Sequence, residues 1–306
     1  MPFEERLELI RDDQVKGAAF LAQEALLALI DCVRETEGDA SRIKEALIEA
    51  SLRLMRIRPG MPAIGHLVIR AAVASAQAFE KDLSPQALRE NIEAEIQQQI
   101  KGCREVHEQV VTNASEILRR FRKVLTLSLS SNVLDSLIRL EGTLQRVYVA
   151  ESRPVYEGRT TAEKLAEAGI PVTLVTDAAM GWALDRVNLC LTGADGVLQD
   201  GSLINKTGTH LLALAAATSK IPVYSICETY KYHVGAVPFE PESKPPDEVC
   251  PPMPGVEISN LYFEIIPARY IAGYITELGL IPPHLAAEQI RRWQHDFSEK
   301  WHAFAG

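Results

Sequence analysis

The sequence predicts an α/β protein: an N-terminal helical bundle followed by a doubly wound, mostly parallel, Rossmann-like sheet. Three observations point there. Residues 1–122 carry apolar side chains at helical spacing and contain no convincing strand. Residues 123–306 switch to short β-rich runs alternating with helical segments. Those runs are mostly apolar from end to end, as strands covered on both faces must be. The expected division is a helical domain over 1–122 and an α/β domain over 123–306.

In chain order, "AAFLAQEALLALIDCVRE" and "SRIKEALIEASLRLMRI" place apolar residues at i, i+3, i+4 and i+7, which is one face of a helix. "SPQALRENIEAEIQQQIKGC" opens with Ser84 as an N-cap and Pro85 at the first helical position. After Arg122 come the runs "KVLTLSL", "RVYVAES", "IPVTLVT", "VNLCLTG" and "PVYSIC", four of them followed by a helical segment. The proline-dense stretch 236–257 reads as a loop, long enough to cover a site or a partner surface, or a passive excursion. "LYFEIIPARYIAGYITELGLIPP" is expected to give a short strand and a helix. The tail is expected to be an amphipathic helix with Trp293, Phe297 and Trp301 along one side, packed on its own subunit or on a second copy.

Composition narrows the function classes. With 306 residues, 47% hydrophobic and 24% charged, the chain suits a soluble globular protein with two packed cores. A net charge of -9 gives no general attraction to nucleic acid. No apolar run approaches the roughly 20 residues of a bilayer span, and the N-terminus lacks a basic flank followed by an apolar segment, so a cytoplasmic protein without membrane contact is expected. The five cysteines form no C-x-x-C pair, which argues against a zinc site or a disulfide framework. Neither G-x-G-x-x-G nor a P-loop occurs, so no cofactor or metal is expected.

Ligands of doubly wound sheets bind beyond the carboxyl ends of the strands. The first run delivers Ser128, Ser130 and Ser131, either an anion-receptive turn or simple N-capping. The second delivers Glu151, Arg153, Glu157 and Arg159, suited to polar ligand groups or to solvated ion pairs. Asp177, after the third, reads as an N-cap. Asp195 follows the fourth, well ahead of a helix expected to begin near Lys206, so capping does not explain it. An acid partly desolvated there has its pKa raised and serves as a general acid or base. The fifth ends in the polar cluster Cys227 to Lys231. Carboxylates, hydroxyls and the cations Lys206 and Lys231 together suit a small phosphorylated, polyhydroxylated ligand.

"VAESRP", "GIPVTLVTDAA", "GADGVLQDGSLINKTGT" and "CETYKY" closely resemble the family containing the alpha, beta and delta subunits of initiation factor 2B, methylthioribose-1-phosphate isomerase and ribose-1,5-bisphosphate isomerase. The resemblance runs from about residue 10 to 283. It implies a helical domain, a doubly wound α/β domain that forms the dimer interface, and a homodimer able to join larger complexes. In the isomerases of this family a cysteine after the first strand and the aspartate of the G-A-D motif move a proton between C2 and C1 of a sugar 1-phosphate. By resemblance that aspartate is Asp195, while Ser128 stands at the cysteine position and Leu127 at the histidine often preceding it. A thiol titrates near about 8.5, whereas a serine hydroxyl needs an adjacent base to react. Of the other thiols, only Cys227 at another strand end offers a substitute. The family's R-G-A phosphate motif corresponds to Lys16, Gly17 and Ala18, its R-P-T segment to Arg58 and Pro59, its N-K pair to Asn205 and Lys206, and a glutamine to Glu157.

The resemblance therefore implies an initiation factor 2B alpha-type protein, linked to translation initiation, that binds a sugar phosphate or nucleotide monophosphate in a former isomerase site. The alternative is an aldose-ketose isomerase of a sugar 1-phosphate, of the ribose-1,5-bisphosphate or methylthioribose-1-phosphate type, using Asp195 with Ser128 or a water. A third reading is an assembly subunit whose crevice is a relic.

Overall fold

The structure, a computed structural model, describes residues 1–13, 16–235, 240 and 242–306. The chain divides into two units, one of residues 1–106, 230–240 and 288–306, the other of residues 107–229 and 241–287.

The first unit is helical: α1 (Phe3–Asp12), α2 (Ala18–Glu35), α3 (Ala40–Ile57), α4 (Pro62–Phe79), the first part of α5 (Pro85–Leu118) and the latter part of a C-terminal helix running Pro283–Ala305. Local chemistry starts these helices where the sequence indicates. Asp39 accepts the Arg42 N–H at 3.0 Å as the N-cap of α3, Pro62 occupies the first turn of α4, and Ser84 Oγ accepts the Ala87 N–H at 3.3 Å ahead of α5. The apolar face of α2, with Leu21, Leu26 and Leu29 fully buried, packs on α3 and α4. Full burial of each such side chain contributes roughly 1.5–3 kcal/mol. His66 sits inside this unit, its Nδ1 donating to the Tyr232 carbonyl at 3.1 Å and its ring edge-on to Trp293 and Phe297. Burial pulls its pKa down to about 3, so the ring is neutral. The aromatic stripe of the tail thus packs, through two of its members, on its own chain.

The second unit holds a seven-stranded sheet in the order β10-β9-β7-β4-β1-β2-β3. Its strands are β1 (Lys123–Leu127), β2 (Arg146–Ala150), β3 (Val172–Val175), β4 (Leu189–Thr192), β7 (Val223–Ile226), β9 (Gly273–Thr276) and β10 (Gly279–Ile281). All neighbours pair in parallel except β9 with β10. From β1 the chain moves outward through β2 to β3, then resumes at β4 on the other side. The strand order therefore reverses between β1 and β4, the place where such sheets bind ligands. The helices of this unit are α6 (Ser131–Ile138), α7 (Glu157–Glu167), α8 (Met180–Leu184) and α9 (Thr209–Thr218), with α10 being the C-terminal helix already described.

Two expectations need correction. The helix expected near Lys206 begins at Thr209, because Leu203–Lys206 form β6, the centre of a small antiparallel sheet with β5 (Gly196–Val197) and β8 (Phe263–Ile266). The stretch expected to be a strand and a helix contains β8, a short 3-10 turn at Ala268–Tyr270 and the β9–β10 hairpin. In the proline-dense stretch, residues 236–239 and 241 lie outside the described residues; beyond them Ser243 bridges Leu261 and Pro246–Glu248 form a 3-10 turn. Among the described residues no helix is long and apolar enough to cross a membrane.

Candidate functional site

The polar groups gather at the reversal point of the sheet. Ser128 leaves β1 in a left-handed conformation with φ of 63°. Its N–H donates to Ser152 Oγ at 2.7 Å and its carbonyl accepts from Thr161 Oγ1 at 2.7 Å, so the turn is fixed at both ends. Its hydroxyl lies 3.5 Å from Glu157 Oε1. Glu157 opens α7, and that helix start is pressed onto the end of β2: a Cβ on Gly158 would stand 1.9 Å from the Ala150 carbonyl oxygen. Only glycine fits.

Lys206 reaches the same carboxylate from the end of β6. Its ammonium is buried, 2.7 Å from Glu157 Oε1 and 3.8 Å from the centre of the Tyr262 ring. The two charges are in contact, yet among the described residues neither Lys206 Nζ nor Glu157 Oε2 has a hydrogen-bond partner. Asn205 Nδ2 donates to Thr209 Oγ1 at 2.9 Å, and that hydroxyl donates to the Lys206 carbonyl at 2.7 Å, which fixes the strand-to-helix corner. From β4, Gly193 packs so closely on Ser130 that a Cβ would meet its Oγ at 2.6 Å. Asp195 follows two residues later, half-buried, its N–H donating to the Ile204 carbonyl at 2.9 Å. Contacts thus join Ser128, Glu157 and Lys206 directly, while Asn205 precedes Lys206 within β6 and Asp195 bonds that strand at Ile204.

Several alternatives left open by the sequence resolve here, and one role changes. Ser130 caps α6, accepting the Val133 N–H at 3.5 Å. Asp177 does not cap its own helix, as the sequence suggests. It accepts the N–H groups of Ser152 and Arg153, both at 2.8 Å, and so clamps the loop after β2. Glu151 and Arg159 pair at 2.8 Å, while Arg153 donates to the Tyr156 hydroxyl at 2.6 Å. The N-terminus of α9 is closed by the chain itself: Glu264 Oε1 takes the N–H groups of Gly208, at 2.7 Å, and His210, at 2.9 Å. Gly208 stands at φ of 105°, a conformation that favours glycine.

In the helical unit, Lys16 is exposed beside the Phe20 ring and its N–H donates to Asp13 Oδ1 at 2.6 Å. Gly17 is the extended N-cap residue of α2 and Ala18 its buried first residue. Arg58 is buried and its guanidinium donates to the Asp13 carbonyl at 2.9 Å.

Sequence reasoning overlooked His107. In α5, its Nδ1 bonds Asn132 Oδ1 at 2.8 Å and its Nε2 bonds Asp135 Oδ2 at 2.9 Å, with Glu228 Oε1 3.9 Å from Nδ1. Asp135 and then Glu228 raise its pKa to about 10. Cys227 is buried, and burial pushes the Cys190 thiol up to about 12.

A doubly wound sheet with hydroxyl, carboxylate and ammonium groups at its reversal point defines a protein of the α/β class. More narrowly, the chain belongs to the initiation factor 2 subunit family, whose model matches residues 14–283. It is 30% identical over 281 residues to a putative translation initiation factor eIF-2B subunit 2-like protein of Pyrococcus furiosus, an alignment covering 90% of this chain and 95% of that protein. It is 29% identical over 287 residues to the ribose 1,5-bisphosphate isomerase of Methanocaldococcus jannaschii, covering 91% of each. Among solved structures, the translation initiation factor eIF-2B of Pyrococcus horikoshii OT3 matches with a TM-score of 0.76 and 27% identity over 92% of this chain and 97% of that one.

Proposed function

We propose that this protein is an initiation factor 2B alpha-type binding protein of the cytoplasm that holds a phosphorylated pentose or a nucleotide monophosphate in a former isomerase site. One observation carries this reading: the turn after β1, where the related isomerases are expected to hold their thiol, presents the Ser128 alcohol with its main chain locked at both ends. Serine does not shuttle protons near neutral pH without a matched base, whereas hydroxyl, carboxylate and ammonium groups suit ligand capture. The assembly we propose is a homodimer, supported by the exposed apolar residues Trp182 of α8, Leu211 and Leu214 of α9 and Ile265 of β8, on elements that adjoin one another. Calorimetry with ribose 1,5-bisphosphate, methylthioribose 1-phosphate and AMP tests the reading on a preparation whose native mass is expected to be that of two chains. Binding of at least one ligand without exchange of the C2 proton, and loss of binding in Lys206→Ala, are the expected results. Absence of binding across the panel defeats the reading.

The isomerase alternative draws on Asp195, retained in its G-A-D setting, and on the Glu157 carboxylate 3.5 Å from Ser128 Oγ. It requires C2 proton exchange in the wild type and its disappearance in Asp195→Asn.

A further inference from the structure

Beside Ser128 stand one hydrogen-bond donor and one acceptor that the described residues do not use. Lys206 is 3% exposed, and its ammonium, lying against the Tyr262 ring, has no hydrogen-bond partner among the described residues. Glu157 Oε1 is 2.7 Å away and neutralises it, but the second carboxylate oxygen, Oε2, is also buried without a hydrogen-bond partner. The Ser128 hydroxyl stands 3.5 Å from Oε1 on the other side. Buried polar atoms are nearly always hydrogen-bonded, so two such atoms on one ion pair mark a place that another group completes.

The pattern dictates which group. An ammonium donates and a carboxylate accepts, so the complement must accept and donate at once, as a hydroxyl does. A phosphoryl group near neutral pH mainly accepts and shares the sign of Glu157. Beside a lysine whose charge is already matched, in surroundings with little water, it meets repulsion without a free cation to offset it.

We propose that Ser128, Glu157 and Lys206 form a hydroxyl-selective subsite, and that Glu157 is the residue that sets its specificity by keeping phosphate away from Lys206. The inference rests on the sugar-phosphate reading of the crevice and orients the ligand within it, with an uncharged sugar hydroxyl at Lys206 and the phosphate elsewhere. Replacing Glu157 with glutamine preserves size and one acceptor oxygen, removes the charge, and turns the same lysine into an anion site.

The test is calorimetry on the full-length wild type, Glu157→Gln, Glu157→Asp and the double variant Glu157→Gln/Lys206→Met, each checked for folding by its melting curve, with inorganic phosphate and ribose 5-phosphate as separate probes. Glu157→Gln is expected to bind inorganic phosphate roughly tenfold tighter than the wild type, as the removal of a like charge implies. Glu157→Asp, which keeps the charge, is expected to show no gain, and the double variant to lose it. Phosphate affinity unchanged in Glu157→Gln overturns the inference, as does a gain that survives loss of Lys206. The two readings fail separately: ribose 5-phosphate binding without a phosphate gain removes only the hydroxyl subsite. A phosphate gain without sugar-phosphate binding in any variant removes the wider functional reading and leaves the charge selectivity standing.

Discussion

His107 and Lys206 are two cations of the α/β unit, each faced by a carboxylate of its own chain, yet they are finished differently. The imidazolium uses both N–H groups, one toward Asn132 and one toward Asp135, and Glu228 adds a further negative charge at 3.9 Å. The ammonium touches Glu157 and the Tyr262 ring but completes no hydrogen bond among the described residues. Neutralising a charge and satisfying its hydrogen-bonding capacity are separate requirements. Where both are met the pair joins helix to helix, as His107 joins α5 to α6. Where only the first is met the pair is poised for something else.

The largest effect expected from this contrast is on stability. Lys206→Met strands the Glu157 carboxylate and should cost about 3 kcal/mol in urea unfolding, near the lower end for a broken buried pair because Glu157 is partly exposed. Glu157→Gln/Lys206→Met should recover most of that loss. A double variant as unstable as the single one would show that the two charges are not coupled.

His107→Ala should cost less, about 1–2 kcal/mol near neutral pH, since the ring is partly exposed. Its pH dependence is distinctive. The folded-state pKa is raised from 6.5 to about 10, so the stabilisation is complete below about 6.5 and drains away as pH rises through about 10. Unfolding free energies of wild type and variant should therefore converge at high pH, and a gap independent of pH would sharpen the contrast against His107. The smallest effect is expected for Glu264→Ala, about 1 kcal/mol for a lost helix cap. Amide exchange should speed up at Gly208 and His210 while ligand affinity stays unchanged; protected amides in that variant would mean the cap is dispensable.

How far the sequence revealed this molecule depended on how local each signal is. β1, β2, β3, β4 and β7 stood out as apolar runs because buried parallel strands need no alternation; Ser84 read correctly as a cap, and Ser130 was among the cap candidates, because their partners lie three residues away. The small sheet was invisible: β5 has two residues, and β6 carries Asn205 and Lys206 into a buried corner that the pattern assigns to a helix start. Asp177 looked like a cap because nothing nearby signals that its amide partners are Ser152 and Arg153, 25 and 24 residues upstream. His107 and Glu264 went unnoticed for the same reason, their partners being brought close only by the tertiary fold. Of the candidate site, the residue types were legible; the meeting of Glu157 with Lys206 was not.

The turns after β1 and β2 hold a further lesson for anyone who would engineer this protein. Ser128, Ser152 and Tyr156 all stand at φ of 62–63°, where a side chain is uphill of glycine by about 1–2 kcal/mol. Three glycines would look like simple gains in robustness. Yet Ser152 supplies the oxygen that pins Ser128, Tyr156 stacks its ring against Arg159 at 3.8 Å, and Ser128 brings the alcohol itself. A tougher variant made that way would have a slack mouth, and screening for melting temperature alone would select for it.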